Sequence, residues 1–289
     1  MKRYQSSDIR NFAIVGHGAA GKTCLAESML MLGGETNRLG KIEDGSTISD
    51  YHPGEKTRQI SIHATPLHLE WMDKKFNMID TPGYSDFIGE ATSSLAVVDA
   101  AVVVVHAVNG IEVGTEQVWN YASNYRLPKI IVVNGLDKEH TQFDKILQQA
   151  KSNFGSNVFP LQLPVNAGPG FNQVVDVLRS ELITYSTDGS GKYSEEELPE
   201  KWQEKIILKL CNIYNLSENN IAYIGDDVND LEILERVGLS ISPKDANQEV
   251  KKIVDYTCNS LGGEGVLREI CDLIISIKFG KKIKMQILN

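Results

Sequence analysis

The sequence predicts an α/β protein: a mostly parallel sheet with helices on both faces, followed by a second, shorter α/β segment. Three observations carry this. Short, wholly apolar runs alternate with helical patterns over the first two-thirds of the chain. A glycine-rich turn joins the first apolar run to the first helix. A polar break at residues 186–203 is followed by a fresh round of alternation.

Taken in order, FAIVG from Phe12 reads as a buried strand, then comes the glycine turn, then a helix opening at Lys22. FNMID from Phe76 is a second strand, ended at Asp80 by the breaker Thr81-Pro82-Gly83. AAVVVVHAV from Ala100 and KIIVVNGLD from Lys129 are too apolar for a half-exposed sheet and read as central strands. Glu112 to Tyr125 and Gln142 to Asn153 read as covering helices. NVFPLQLPV reads as a fifth strand whose prolines suit an edge. STDGSGKYSEEELPEKWQ lacks apolar periodicity and marks a loop or domain boundary. Beyond it the pattern gives a helix near Glu204 to Tyr214, strand NIAYIGD, helix DLEILERV, strand LSISP, and helices NQEVKKIV and GVLREICDLII. The expected domains are 1–203 and 204–289.

A length of 289 residues favours two domains, and 42% hydrophobic with 23% charged residues is ordinary for a globular chain. Lys and Arg number 29 against 38 Asp and Glu, a net charge of −9 with neither half basic. That balance argues against a general nucleic-acid binder. The lysines of KFGKKIKMQILN read as a solvated end. No apolar run approaches the roughly 20 residues that span a bilayer. MKRYQSSDIRNF has neither an apolar core nor a small-residue cleavage site, so a cytoplasmic protein with no membrane partner is expected. Cys24, Cys211, Cys258 and Cys271 form no C-x-x-C pair and read as buried free thiols.

Gly16-His17-Gly18-Ala19-Ala20-Gly21-Lys22-Thr23 fits G-x-x-x-x-G-K-[ST]. Glycines let backbone N–H groups curl around a phosphate, and the following helix presents its positive end to the same anion. Lys22 would neutralise phosphate charge, and the Thr23 hydroxyl would ligate Mg²⁺. The alternative is the glycine turn of an ordinary dinucleotide unit. Asp80, at a strand's carboxyl end, would hold a Mg²⁺-bound water, and Gly83 would offer its N–H to the γ-phosphate. Asn134 and Asp137 end the fourth strand. A carboxylate at 137 accepts two hydrogen bonds from guanine, which adenine cannot supply; the alternative is a helix N-cap.

On the stretches GHGAAGKT, GSTISDYHPGEKTRQISI, DTPGYSDF, NGLDKEH and FPLQLPV to TDGSGKYSEEELPE, residues 9 to about 203 resemble the GTP-binding domain of elongation factor G, in its elongation-factor-G-like branch. The resemblance implies a P-loop G domain with an inserted subdomain, GTP or GDP as ligand, Mg²⁺ as cofactor, and the ribosome as partner. It also implies that Ser61 replaces the switch threonine that reaches the metal, and that residues 38–60 are the mobile switch. Three departures follow. Tyr84 stands where the family has a histidine beside the attacking water; it would orient water without being cationic, so slow hydrolysis is expected. Gly135 stands in place of the lysine whose stem stacks on guanine. No recognisable copy of the family's last guanine-binding loop is found in the sequence.

In the second segment, Gly225-Asp226-Asp227-Val228-Asn229-Asp230 ends a strand, which suits either Mg²⁺ or an acidic helix start. Residues 204–277 are similar to the C-terminal half of haloacid-dehalogenase-type sugar-acid phosphatases, closest to the 3-deoxy-octulosonate 8-phosphate group. That implies a Rossmann-like half-domain, with Asp226, Asp227 and Asp230 as a remnant metal site. The D-x-D nucleophile of that class is missing, and Gln203 lies where its phosphate-binding lysine is expected. The leading expectation is a Mg²⁺-dependent GTPase with Lys22 and Tyr84 as its catalytic groups. A sugar-acid phosphatase and a non-catalytic composite are the alternatives. Strand NIAYIGD would serve as a sixth strand of the first domain.

Overall fold

The computed structural model describes residues 4–279 apart from 156 and 189. The chain divides into two units, Met1–Glu196 and Glu197–Asn289. In the first, β1 (Ile9–Gly16), β2 (Thr65–Trp71), β3 (Lys74–Asp80), β4 (Ala100–His106) and β5 (Lys129–Asn134) form a sheet ordered β2-β3-β1-β4-β5. All neighbours are parallel except the β2–β3 hairpin. The helices are α1 (Lys22–Leu32), α2 (Pro53–Arg58), α3 (Ile88–Leu95), α4 (Val113–Asn124) and α5 (Phe143–Phe154).

The two-residue period of β1 explains the layering. Phe12 and Ile14 pack with Ala26 and Leu30 of α1, whereas Ala13 and Val15 pack with Leu95 of α3 and Val118 and Ala122 of α4. Both faces are covered, which is why the central strands read as unbroken apolar runs. Each fully buried Val, Ile or Leu contributes about 1.5–3 kcal/mol. Parallel pairing also brings the carboxyl ends of the strands to one edge. Ile14 pairs with Asp80, Gly16 with Val104, and His106 with Asn134. That edge is where ligands bind in open α/β sheets.

Several expectations are corrected. β2 lies where no strand was expected; only Leu67 and Leu69 supply its buried apolar side, too short a signal beside exposed Pro66, His68 and Glu70. The expected fifth strand shrinks to β6 (Gln162–Pro164), bracketed by prolines. It joins β7 (Gln173–Asp176), β8 (Glu181–Tyr185) and β9 (Tyr193–Glu197) in a separate four-stranded sheet, ordered β6-β7-β8-β9. The expected loop at 186–203 contains β9 and the start of α6 (Glu200–Tyr214), which Pro199 caps. The division therefore falls at 196/197 rather than at 203/204.

The second unit has a parallel sheet of β10 (Ala222–Ile224), β11 (Leu239–Ser242) and β12 (Tyr256–Thr257), in that order. Besides α6 it holds α7 (Leu231–Leu234), α8 (Gln248–Ile253) and α9 (Val266–Phe279). Ile241, Cys258, Val266 and Ile270 form one core cluster, and Ile207, Cys211 and Ile233 another. NIAYIGD thus pairs within its own sheet and is not a sixth strand of the first. The helix expected over DLEILERV is the single turn of α7, because Val228–Asp230 form a 3-10 turn in front of it. All four cysteines are free, but Cys24 and Cys271 are exposed; only Cys211 and Cys258 are buried. The lysine-rich end beyond Phe279 lies outside the described residues.

Candidate functional site

The turn between β1 and α1 is built from conformations that most residues avoid. Gly16, Ala19 and Gly21 have φ values of 149°, 60° and 92°. A Cβ at Gly16 would overlap the Val104 carbonyl oxygen, and one at Gly21 would overlap Asn134 Nδ2. Inside the turn, Lys22 is buried and donates from Nζ to the His17 carbonyl at 2.8 Å. Desolvation pushes its ammonium down to about 8, against the pull of Asp80 and Asp50. Gly83 closes over it: a Cβ there would overlap Lys22 Nζ and come within 2.6 Å of His17 O and 2.7 Å of Gly18 N. Asn134 Nδ2 donates to the Ala20 carbonyl at 3.0 Å, bracing the turn from the end of β5.

Beside the turn lies a cluster of hydroxyls and carboxylates. Thr23 Oγ1 donates to Asp80 Oδ2 at 2.7 Å and lies 3.1 Å from Ser61 Oγ. Ser49 Oγ donates to the same Asp80 oxygen at 2.7 Å. Asp80 Oδ1 is buried without a partner, and burial pushes this carboxyl up to about 6, opposed by Ser49, Thr23 and Lys22. Both Asp50 oxygens are also buried, the Ser61 hydroxyl approaching without completing a well-formed bond. Burial raises this carboxyl too. Orphaned anionic oxygens in a dry site are costly unless something pairs with them. Oxygen donors of this kind suit a hard divalent cation, so Mg²⁺ fits the cluster. Asp50 and Ser49 escape sequence reasoning because no spacing marks them; only the folded loop delivers them.

The remaining predicted residues are more dispersed. Tyr84 is exposed, and its ring packs so closely on Gly18 that a Cβ there would lie 3.1 Å from it, tighter than van der Waals contact. The His17 ring is half-buried, with Nδ1 packed against Gly114 and Nε2 lying 3.5 Å from Glu112 Oε1. Asp137 is exposed beside Lys138 Nζ at 3.6 Å, and it caps no helix, since α5 opens at Phe143 behind Gln142. Gly135 has φ 80°, and a Cβ there would lie 3.4 Å from His106 Nε2.

Asp226, Asp227 and Asp230 are not brought together as ligands. Asp230 accepts from the N–H groups of Asp226 at 2.9 Å and Asp227 at 3.2 Å, and from Tyr223 Oη at 3.0 Å. Asp227 accepts from Val228 N–H at 2.7 Å and caps the 3-10 turn. Among the described residues no three of His, Cys, Asp and Glu converge to hold a metal. The acidic start of a helical segment accounts for this cluster.

The family described as the elongation factor Tu GTP binding domain matches residues 7–275. The chain is 34% identical over 230 residues to the mitochondrial ribosome-releasing factor 2 of Anopheles gambiae, covering 78% of this chain and 31% of that protein. It is 34% identical over 199 residues to elongation factor G of Mycoplasma pneumoniae, covering 69% and 29%. It is 33% identical over 234 residues to elongation factor G 2 of Borreliella burgdorferi, covering 79% and 35%. The chain thus spans about a third of the length of these curated relatives. The crystal structure of ttk003000868 from Thermus thermophilus superposes with a TM-score of 0.63 at 25% identity, covering 96% of this chain and 42% of that one.

Proposed function

The chain belongs to the family of the elongation factor Tu GTP binding domain, and from that premise we propose that it binds GTP and GDP with Mg²⁺ and hydrolyses GTP slowly. One observation carries the reading: Lys22, Thr23, Ser61 and Asp80 meet beside the Gly16–Thr23 turn, with carboxylate oxygens left unpaired. The backbone N–H groups of Gly16, His17, Gly18, Ala19, Ala20 and Gly21 cradle the phosphates. Lys22 turns from the His17 carbonyl to the phosphate oxygens, which offer it a full charge in place of a dipole. Thr23, Ser61, Asp80 and Asp50 are the residues that would hold Mg²⁺ beside the turn. When bound, the metal neutralises charge developing on the phosphate oxygens. Gly83 offers its N–H to the γ-phosphate. Tyr84 orients the attacking water without adding positive charge, which is the reason for slow turnover. Asn134 braces the phosphate turn, and Asp137 accepts from guanine.

The test is titration with fluorescent GDP and competition by GTP or ATP. GTP should displace the probe at lower concentration than ATP; equal potency overturns guanine selectivity. Lys22→Ala should weaken binding by at least about a hundredfold, since a buried charge-assisted contact to phosphate is worth about 3 kcal/mol. Unchanged affinity overturns the phosphate site.

The name of one relative, ribosome-releasing factor 2, supports a ribosomal partner. For the second unit we propose descent from a haloacid-dehalogenase half-domain, on its three parallel strands and the Gly225–Asp230 turn at the end of β10. With no nucleophilic D-x-D, this half carries no phosphatase activity of its own. Hydrolysis of an aryl phosphate with Mg²⁺ that is lost in Asp226→Asn overturns that statement.

A further inference from the structure

The loop from residue 38 to 60 is long and largely irregular, yet it is pinned at particular points. Thr23 and Glu27 lie one turn apart on the same buried face of α1, and the Glu27 side chain is 1% exposed. Glu27 Oε2 accepts from Gly40 N–H at 3.2 Å. Glu27 Oε1 accepts from Ile48 N–H at 2.6 Å and Ser49 N–H at 3.4 Å. One carboxylate therefore gathers both ends of the stretch 41–47 onto the helix that carries Thr23. A carboxylate suits this because it accepts at two oxygens and donates nothing. The contact is close on the loop side as well: a Cβ at Gly40 would overlap Glu27 Oε2 and come within 2.7 Å of Thr47 Cα.

The pinned residues lead directly into the hydroxyl and carboxylate cluster. Ser49, held by its N–H, gives its hydroxyl to Asp80 at 2.7 Å, and Asp50 follows it into the buried site. A second buried carboxylate, Glu55, accepts from Ile62 and His63 N–H at 3.0 Å each, and so fixes the chain on the far side of Ser61.

We propose that Glu27 is a positioning residue of the nucleotide site: by clamping Gly40, Ile48 and Ser49 it holds the loop in the form that delivers Ser49 and Asp50 to the metal. This rests on the GTPase reading above. Removing the negative charge should open the loop and loosen the metal together, whereas a brace that serves only the fold would leave the metal requirement alone.

The experiment uses the full chain with Glu27→Gln and Gly40→Ala. Glutamine puts an amide donor against N–H donors, and the methyl group added by Gly40→Ala pushes the loop off an intact carboxylate. Two quantities are read: the rate of trypsin cleavage after Lys41, an exposed site between the pinned points, and the Mg²⁺ concentration that half-saturates fluorescent GDP retention. Each should rise about tenfold or more in both variants. Cleavage within twofold of wild type overturns the clamp, and so does faster cleavage with an unchanged Mg²⁺ requirement. If Glu27→Gln fails to fold, Gly40→Ala decides by the same two readings. A wild-type chain that binds no GDP, with Lys22→Ala indistinguishable from it, sinks the nucleotide reading and this inference with it.

Discussion

At Gly135, a lost contact and a backbone constraint coincide. The resembled family places there a lysine that stacks on guanine, so restoring it looks like a gain. The φ of 80° says otherwise. A side chain in the left-handed region costs roughly 1–2 kcal/mol, and the Cβ would also meet His106 Nε2 at 3.4 Å. Gly135→Lys is therefore expected to lower the stability of the first unit by about 1–2 kcal/mol in urea unfolding, without tightening GDP. Tighter GDP at unchanged stability would show that the loop re-forms with an ordinary backbone. The same scale shows which site residues were legible in the sequence. Lys22, Thr23, Asp80 and Gly83 follow from local spacing, because phosphate and metal demand donors at fixed offsets along one turn. Ser49, Asp50 and Glu27 do not, because their roles arise from a loop folding back across a helix. Asn134 was legible as a site residue, though its contact is to the Ala20 carbonyl of the phosphate turn.

Elements were legible where burial is two-sided. β1 and β4 carry unbroken apolar runs, although β1 begins at Ile9, three residues before the expected Phe12. β5, expected as a central strand, is instead the edge of its sheet, only partly buried, and ends at Asn134 rather than Asp137. β2 and β12 were missed because a half-buried or two-residue strand leaves too little pattern. The expected fifth strand failed for the opposite reason, since its apolar residues serve a small separate sheet. Helix α9 shows how a helix front is fixed in the second unit. Glu269 accepts from Asn259 N–H at 2.9 Å, Ser260 N–H at 3.0 Å, Ser260 Oγ at 2.7 Å and Tyr256 Oη at 3.2 Å. Burial pushes its carboxyl up, but these donors outweigh that and hold it at about 2, below the ordinary 4.5. The unfolded chain then takes up a proton before the folded one does, so this contribution is intact above pH 4.5 and is lost as pH falls through about 2. Glu269→Gln should lower stability at neutral pH and flatten its decline between those values, as followed by circular dichroism in acid titration. A decline as steep as wild type would remove Glu269 from the account.

On the scale of the whole molecule, what matters is how unequally the two ends of a nucleotide would be held. The phosphate end has a turn of backbone donors, a buried lysine and a braced cluster of hydroxyls and carboxylates. The base end has Asp137, exposed beside Lys138, at the carboxyl side of β5. Among the described residues, β5 is the edge of its sheet, and no further strand brings a second loop toward the base. Two contacts that the resembled family makes to guanine, the lysine stem and the last loop, have no counterpart in these residues. Each such contact is worth on the order of 1–2 kcal/mol, or about tenfold in affinity. The 289-residue chain should therefore hold GDP mainly by its phosphates and exchange it quickly. Removing the guanine 2-amino group, as in IDP, should cost no more than about tenfold, the value of one contact to Asp137. Stopped-flow release of fluorescent GDP measures the exchange, and nucleotide absorbance after gel filtration checks it independently. Stoichiometric GDP surviving the column would contradict the prediction and would mean that another part of the chain supplies the missing contacts to the base.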